Sequence, residues 1–144
     1  GKLEPMHYRH LFDDPFVLLC RRDDPLATQS TVSWSVFASR PFIASSSESS
    51  IRPITDAAFL QKSLHVVAEL EYPSIAAGGA LVAAGLGITA LPRLALALIN
   101  NDALTEIPLQ RPTLSRPIGL ITRAGRSLSP ITRVFMDALL VTQF

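Results

Sequence analysis

The side chains best suited to bind a small molecule are the serines of the string SSSESS at positions 45–50. This string follows the apolar run 42–44, which predicts a strand, and precedes residues 51–62, whose apolar spacing predicts a helix. Hydroxyl and backbone N–H groups at a helix N-terminus favour a carboxylate or a phosphate, because the helix dipole is positive there. The ligand-binding candidates are Ser45, Ser46, Ser47, Ser49 and Ser50, and of these Ser46 and Ser47 lie just beyond the strand end. The alternative is a capping loop, in which one serine caps the helix and the others face solvent.

Tyr72 and Ser74 are two further ligand-binding candidates. They lie between a strand predicted over 64–70 and a helix predicted over 75–84, so they could line the same cleft as the serines. Ser74 has a competing role as the N-cap of that helix. Arg52, in the first turn beside the serines, could pair with an anionic ligand or could point to solvent, since helix N-termini disfavour cations.

The sequence contains no pattern typical of a catalytic or metal site. No G-x-S-x-G string occurs among the serines, and the histidines His7, His10 and His65 are scattered, with no carboxylate or cysteine at metal-ligand spacing. We therefore predict no catalytic residue, no metal, no cofactor and no enzyme activity.

Several other polar residues have structural explanations. His65 lies in an apolar run and is expected to be a structural histidine with its hydrogen bonds satisfied. The pairs Asp13-Asp14 and Asp23-Asp24 flank a predicted strand and are expected to be solvated turn carboxylates. Cys20 is expected to be a buried small hydrophobe.

Residues 74–92, SIAAGGALVAAGLGITALP, contain no charged side chain. A membrane span needs about 18–20 apolar residues, but the glycines and alanines of this run supply little transfer free energy. The string GLGITA matches G-x-G-x-x-A, yet a dinucleotide fingerprint needs a strand before it, and here a helix comes first. The run therefore predicts a helix, a stop at Gly85 and a strand over 88–91, with every face buried and the glycines packed close to their neighbours. The Thr89 hydroxyl is expected to bond the backbone.

The composition is that of a globular domain. The chain has 144 residues, of which 48% are hydrophobic and 17% charged, with a net charge of +1 and a single cysteine. These values exclude a disordered tail and an internal disulfide framework, and no basic run predicts direct contact with nucleic acid. The charged N-terminus lacks a signal-peptide core, which indicates a cytoplasmic protein; a mature chain from which a signal peptide had been removed would look the same. The first dozen residues contain no convincing start of a fold.

Strands and helices alternate along the chain, which predicts an α/β fold with a mainly parallel sheet. Further strands are predicted over 16–20, 104–109 and 117–123, a short helix with inward Trp34 and Phe37 over 33–38, and an amphipathic helix after Ser129. In such sheets ligands bind beyond the carboxyl ends of strands. That rule points to residues 45–50 and 71–74.

Three strings in a fixed order resemble the effector-binding domain of LysR-type transcriptional regulators. They are DDPFVLLCRRDDPLA at 13–27, LVAAGLGITALPR at 81–93, and PIGLITR at 117–123 followed by Ser129-Pro130 and a helix. The family usually has histidine where this chain has Asp24. The winged helix-turn-helix and most of the first lobe of that domain have no counterpart in this sequence.

The resemblance implies a periplasmic-binding-protein-like (type 2) lobe, flanked by helices and joined by antiparallel hinge strands at 16–20 and 118–123. Residues 1–12 would be an entering segment, 13–123 the second lobe and 124–144 the return helix of the first lobe. The implied function is binding of a small anionic effector between two lobes in a homo-oligomeric regulator. DNA would be bound only through the absent helix-turn-helix, and no membrane is involved. The alternative is one lobe of a transport system's solute-binding protein.

Overall fold

The computed structural model describes residues 5–125 and 127–142. The strands are β1 (Met6–Arg21), β2 (Val32–Ser33), β3 (Phe42–Ser45), β4 (Ala68–Tyr72), β5 (Thr89–Pro92), β6 (Leu104–Gln110) and β7 (Ser115–Arg123). The α-helices are α1 (Arg52–Gln61), α2 (Ile75–Ala83) and α3 (Pro130–Val141), and short 3₁₀ helices span Pro25–Thr28, Trp34–Ala38 and Arg93–Leu98. The segments expected at 1–12 and 124–144 include residues 1–4, 126 and 143–144, which lie outside the described residues.

The chain forms two compact units. The central unit is Pro15–Ser115, and the terminal unit combines Gly1–Asp14 with Arg116–Phe144. Strand β1 contributes residues to both units. The lobe boundaries implied by the resemblance stay a prediction.

The sheet of the central unit is built around β1. Residues Phe16 to Leu19 pair antiparallel with β5, and Val17 to Arg21 pair antiparallel with β6. Parallel pairs join β2 to β6 and β3 to β4, and a parallel bridge joins Phe42 to Ile88. The α/β alternation agrees with the sequence prediction, but more of the pairing is antiparallel than expected, because the order of elements along a chain does not reveal the direction of each neighbour.

An aromatic cluster fills the core of the central unit. Trp34 and Phe37 point inward as predicted, with ring centroids 5.9 Å apart, and Phe42 and Phe59 meet edge to face at 5.1 Å. The indole N–H of Trp34 donates to the Pro112 carbonyl over 2.8 Å, so this large ring is buried without an unsatisfied donor.

Helix α2 follows its glycine pattern but is not buried on every face. A Cβ at Gly78 would lie 3.0 Å from the Tyr72 ring and one at Gly79 would lie 2.8 Å from Ile99, so both glycines permit close packing. Gly85 has φ +80° and follows the helix end, as expected. The prediction of full burial is wrong, because one side of the helix faces solvent and Leu86 is 49% exposed.

The predicted strand over 64–70 begins later than expected. Strand β4 starts at Ala68, and His65 lies exposed in the preceding coil, so its prediction as a satisfied structural histidine is wrong. The apolar run 64–67 packs partly against the core without joining the sheet; Leu64 and Val66 contact the core while Val67 faces solvent.

Two of the aspartates expected in solvent are instead engaged inside the fold. In the terminal unit, Asp14 is 1% exposed and lies 3.4 Å from the Arg116 guanidinium. In the central unit, the Asp24 carboxylate pairs with Arg40 and also accepts from the Leu26 N–H over 2.9 Å. The two arginine partners lie 102 and 16 residues away in the sequence, so spacing alone could not reveal these ion pairs.

The terminal unit begins its structure earlier than the sequence suggested. Strand β1 starts at Met6 and pairs with β7, and the Ala124 N–H donates to the Pro5 carbonyl over 2.9 Å. Residues 6–12 are therefore part of a strand, which the sequence did not predict because strand pairing, and not burial of an apolar run, orders them.

Helix α3, in the same unit, is capped by Ser129, whose hydroxyl oxygen accepts from the Thr132 N–H. It buries none of its described side chains, and Ile131 is 84% exposed. No helix within the described residues is long and apolar enough to cross a membrane.

Candidate functional site

The two places that the sequence indicated separately meet in one cleft of the central unit. Strands β3 and β4 run parallel with Ser45 opposite Tyr72, so their carboxyl ends lie at the same edge. The loops that follow lead into α1 and α2. A cleft of about 380 Å³ opens there, which we call the strand-end cleft; of the predicted residues it is lined by Ser45, Ser46, Ser49, Tyr72 and Ser74.

Not every predicted serine lines the strand-end cleft. Ser47 and Ser50 are exposed and absent from its wall. Four lining residues were not singled out from the sequence, namely Glu48, Ile51, Pro73 and Ile75. Each is next to a predicted residue along the chain, so the only available signal was adjacency.

The serines also shape the turn between β3 and α1. The Ser46 hydroxyl oxygen accepts from the Glu48 N–H over 3.3 Å, and that of Ser49 accepts from the Ile51 N–H over 3.0 Å. A hydroxyl oxygen that accepts from the backbone still has its own proton to donate. Ser46 and Ser49 can therefore hold the turn and donate hydrogen bonds to an anion at the same time.

Ser74 caps α2, as its alternative role predicted. Its side-chain oxygen accepts from the Ala77 N–H over 3.2 Å. The cap places the positive end of the α2 dipole at the strand-end cleft, where Ile75 is the first helical residue.

Two residues that line the cleft, Ser45 and Tyr72, have buried hydroxyl groups. Ser45 Oγ and the Tyr72 hydroxyl are both buried, and within the part of the chain that the structure describes neither makes a hydrogen bond of good geometry, although the Ser45 and Thr89 hydroxyls lie close enough to act on the phenol. Burial raises the pKa of Tyr72, and the neighbouring Thr89 and Ser45 hydroxyls oppose that rise, so the phenol stays neutral. Thr89 itself donates to the Ile43 carbonyl over 2.6 Å, which confirms its predicted backbone bond.

Arg52 takes neither of the two roles considered for it. Its guanidinium donates to Glu71 over 2.8 Å, to Asp56 over 3.1 Å and to the Ser45 carbonyl over 3.0 Å. The hydrogen bond to Glu71, above all, raises the pKa of Arg52. This side chain ties α1 to the ends of β3 and β4, and its charge is already met by two carboxylates.

The lining of the strand-end cleft is rich in hydrogen-bonding groups. It offers serine hydroxyls and two helix N-termini, and its negative charge comes from Glu48 on the rim. Within residues 5–125 and 127–142, no group of three His, Cys, Asp or Glu side chains could hold a metal ion.

Comparison with known proteins finds a family match over nearly the whole chain. The model of the LysR substrate binding domain matches residues 2–142. The uncharacterized HTH-type transcriptional regulator YbhD of Escherichia coli (strain K12) is 36% identical over 130 residues, which cover 90% of this chain and 41% of that protein. The HTH-type transcriptional activator CmpR of Synechocystis is 27% identical over 135 residues, which cover 93% of this chain and 44% of that protein. The chain spans less than half the length of these curated relatives.

Solved structures show the same fold. The CcmR regulatory domain of Synechocystis PCC6803, solved in complex with 2-PG, superposes with a TM-score of 0.79 and 28% identity, covering 97% of this chain and 68% of that one. The reduced OxyR regulatory domain of a Pseudomonas gives a TM-score of 0.75 at 19% identity, covering 99% and 68%, and supports the fold alone. These likenesses confirm the predicted α/β, periplasmic-binding-protein-like (type 2) fold class.

Proposed function

The chain belongs to the LysR substrate-binding domain family, and from that premise we propose that its strand-end cleft binds a small anionic metabolite as the effector of a transcriptional regulator. The family also decides between the two functions considered from the sequence. The relatives are transcriptional regulators, so the interpretation as a lobe of a transport system is wrong.

One observation carries the choice of site. Ser45 and Tyr72 lie opposite each other where β3 and β4 end, and the serines that line the cleft can still donate hydrogen bonds. Ligands of α/β sheets bind at such strand ends, where loops meet helix N-termini.

The chemistry of the cleft favours an anion over a cation. Helices α1 and α2 both begin beside it, and their dipoles stabilise negative charge. Arg52 is neutralised by carboxylates, so the hydroxyl groups and helix N-termini of this unit would meet the ligand's charge. The relative solved with 2-PG agrees with a small anionic effector.

By analogy with the longer relatives, we propose that this chain is part of a longer regulator, which we call the parent. In the parent the effector would lie between this lobe and a first lobe. It would act by contacting two lobe arrangements unequally, because a ligand with equal affinity for both shifts nothing. We assign DNA binding to a helix-turn-helix in the parent, which we propose to be a cytoplasmic homo-oligomer without enzyme activity.

The test is a thermal-shift titration of this chain and of the parent regulator with 2-PG and with inorganic phosphate. The variant carries Ser46→Ala with Ser49→Ala, which removes two lining hydroxyls. The matched control carries Ser47→Ala with Ser50→Ala, which removes two exposed hydroxyls outside the cleft.

We expect the parent to be stabilised by an anion, and we expect the lining variant to lose most of that shift while the control keeps it. Equal shifts in both variants would place the effector elsewhere. Stabilisation of the isolated chain would place the whole site inside this unit.

A further inference from the structure

A second groove lies in the central unit, and its lining shares no residue with the strand-end cleft. Its volume is about 340 Å³, and its walls include the apolar side chains Leu19, Leu96, Ile99 and Leu104. Its polar lining residues are Arg22, Asn101, Thr105 and Glu106. We call it the Arg22 groove.

Arg22 is held in place but keeps donors free. Its backbone N–H donates to the Ala103 carbonyl over 2.8 Å, and its Nε donates to the Asp102 carbonyl over 2.7 Å. Neither terminal nitrogen has a partner among the described residues, and no described carboxylate lies within ion-pair distance. By contrast, Arg21 and Arg93 nearby are both paired with carboxylates.

Further donors surround this guanidinium. The Asn101 side-chain oxygen already accepts from the Ala103 N–H over 2.9 Å, which leaves its NH₂ group to donate outward. The hydroxyl of Thr105 has no hydrogen-bond partner among residues 5–125 and 127–142. One fixed cation and two neutral donors thus face the same apolar walls.

The acidic residue of the groove, Glu106, limits the negative charge that a bound ligand can carry. Glu106 lies 3.3 Å from Arg93, so its carboxylate is only partly neutralised at the groove. A ligand with one negative charge could meet Arg22, whereas a second charge would face Glu106.

We propose that the Arg22 groove binds a small apolar monocarboxylate, with the carboxylate on the Arg22 guanidinium and the hydrocarbon body against Leu96, Ile99 and Leu104. An exposed ion pair in water contributes little by itself, so the apolar walls are needed to exclude water from the pair. This site is independent of the proposed effector site, since the two share no residue.

The experiment titrates the whole chain with benzoate as the probe and measures binding from chemical-shift changes in ¹H–¹⁵N NMR spectra. Benzyl alcohol tests the need for charge, and phthalate tests the penalty for a second charge. The variant is Arg22→Gln, and the matched control is Arg111→Gln, an exposed arginine outside the groove. The variant with Ser46→Ala and Ser49→Ala reports on the strand-end cleft.

We expect saturable shifts at residues 96–105 with a Kd on the order of millimolar, weakened about tenfold or more by Arg22→Gln and unchanged in Arg111→Gln and in the serine variant. Benzyl alcohol and phthalate should bind more weakly than benzoate.

Because Arg22→Gln also loses the hydrogen bond to the Asp102 carbonyl, Thr105→Val is the second variant and should weaken benzoate binding without that loss. Absence of saturable binding, equal affinity in Arg22→Gln, or loss only in the serine variant would each overturn the proposal. The last result would move benzoate to the strand-end cleft, whereas failure of the effector proposal leaves this one standing.

Discussion

Burial changes the proton affinity of two side chains in the central unit, Cys20 and Tyr72. Both acids are less easily ionised inside the fold, because a thiolate or a phenolate loses its hydration there. For Tyr72 this keeps a neutral hydroxyl beneath the strand-end cleft. For Cys20, which is fully buried, it means an unreactive thiol, as expected for a small hydrophobe.

The stability of the protein should fall at alkaline pH because of Cys20. Desolvation first, and then the Asp24 charge, raises the pKa of Cys20 from 9.0 to about 11, while Arg40 opposes the rise. A raised pKa in the folded state stabilises the fold fully below the unfolded pKa, and that contribution is lost as the pH rises from about 9 through about 11. The loss should reach about 2–3 kcal/mol.

Urea unfolding at a series of pH values tests this expectation. Cys20→Ala should be less stable than the native chain at neutral pH, because it leaves a cavity, but it should lose less stability on going to alkaline pH. Parallel pH profiles for the two proteins would contradict the assignment to Cys20. The Tyr72 contribution is common to both and cancels in the comparison.

Gly78 is required by the ring of Tyr72 rather than by helix geometry. An added Cβ would lie 3.0 Å from that ring, so Gly78→Ala should destabilise the protein by about 1–2 kcal/mol despite the higher helix propensity of alanine. In a Tyr72→Ala background the clash is gone, and the same substitution should become stabilising by about 1 kcal/mol.

A double-mutant cycle by urea unfolding measures this sign change. Gly85→Ala serves as the control, because Gly85 has φ +80° and no atom within 4 Å of an added Cβ. The loss of stability caused by Gly85→Ala comes from backbone strain at positive φ, so it should be the same with or without the Tyr72 ring. A Gly78 cost that persists without the ring would show that the ring contact is not its cause.

At the scale of elements, the two helices that begin at the strand-end cleft start in different ways. Helix α2 has a side-chain cap from Ser74, whereas α1 begins after Ile51 without one. The turn before α1 is instead held by Ser46 and Ser49. Serine density at a helix start therefore does not show that a serine caps the helix, and the capping-loop alternative considered for residues 45–50 is wrong for α1.

Loss of the α2 cap should be measurable. Ser74→Ala should cost about 1 kcal/mol, because the Ala77 N–H loses its acceptor, and Ser74→Asp should restore most of it. Ser50→Ala, at an exposed serine of the other loop, is the matched control and should stay within about 0.5 kcal/mol of the native chain. Unfolding in urea at neutral pH gives these differences. Equal losses of stability for Ser74→Ala and Ser50→Ala would show that the cap does not stabilise the helix.

At the scale of the whole molecule, the surface of the terminal unit is unusual for a solitary chain. Helix α3 exposes Ile131, Val134, Phe135 and Val141, and none of its described side chains is buried. Contiguous exposed apolar surface of this kind is typical of a face that another protein surface covers.

The chain should therefore self-associate in solution. Ile131→Glu with Phe135→Glu places two charges on one face of α3 and should shift the chain toward monomer in sedimentation velocity runs over a concentration series. Arg133→Glu changes an exposed residue on roughly the opposite side of the helix and should leave the distribution unchanged. A native chain that stays monomeric throughout would contradict this expectation.

Much of the fold follows from local sequence patterns. The buried run 16–20, the inward Trp34 and Phe37, the cap at Ser129 and the stop at Gly85 all depend on residue type and near neighbours, and each is observed. The three ordered strings also identified the family, because a family signature is itself a property of the sequence.

What depends on distant partners could not be predicted in the same way. Burial of Asp14 required Arg116, neutralisation of Arg52 required Glu71, and the start of β1 at Met6 required β7. No local pattern predicts these pairings, since Arg116 and Glu71 taken alone are typical of solvent and a strand pattern does not name its partner strand.

The sequence by itself determined the alternation of strands and helices, the glycines that let α2 pack closely, and the serine-rich and tyrosine-containing loops as separate candidates. Only the tertiary structure decided that these loops form one cleft, that Ser45, Ser46 and Ser49 line it while Ser47 and Ser50 do not, and that Arg52 is already paired. The physical reason is strand register: the parallel pairing that sets Ser45 opposite Tyr72 joins segments distant in sequence, and local patterns do not encode that register.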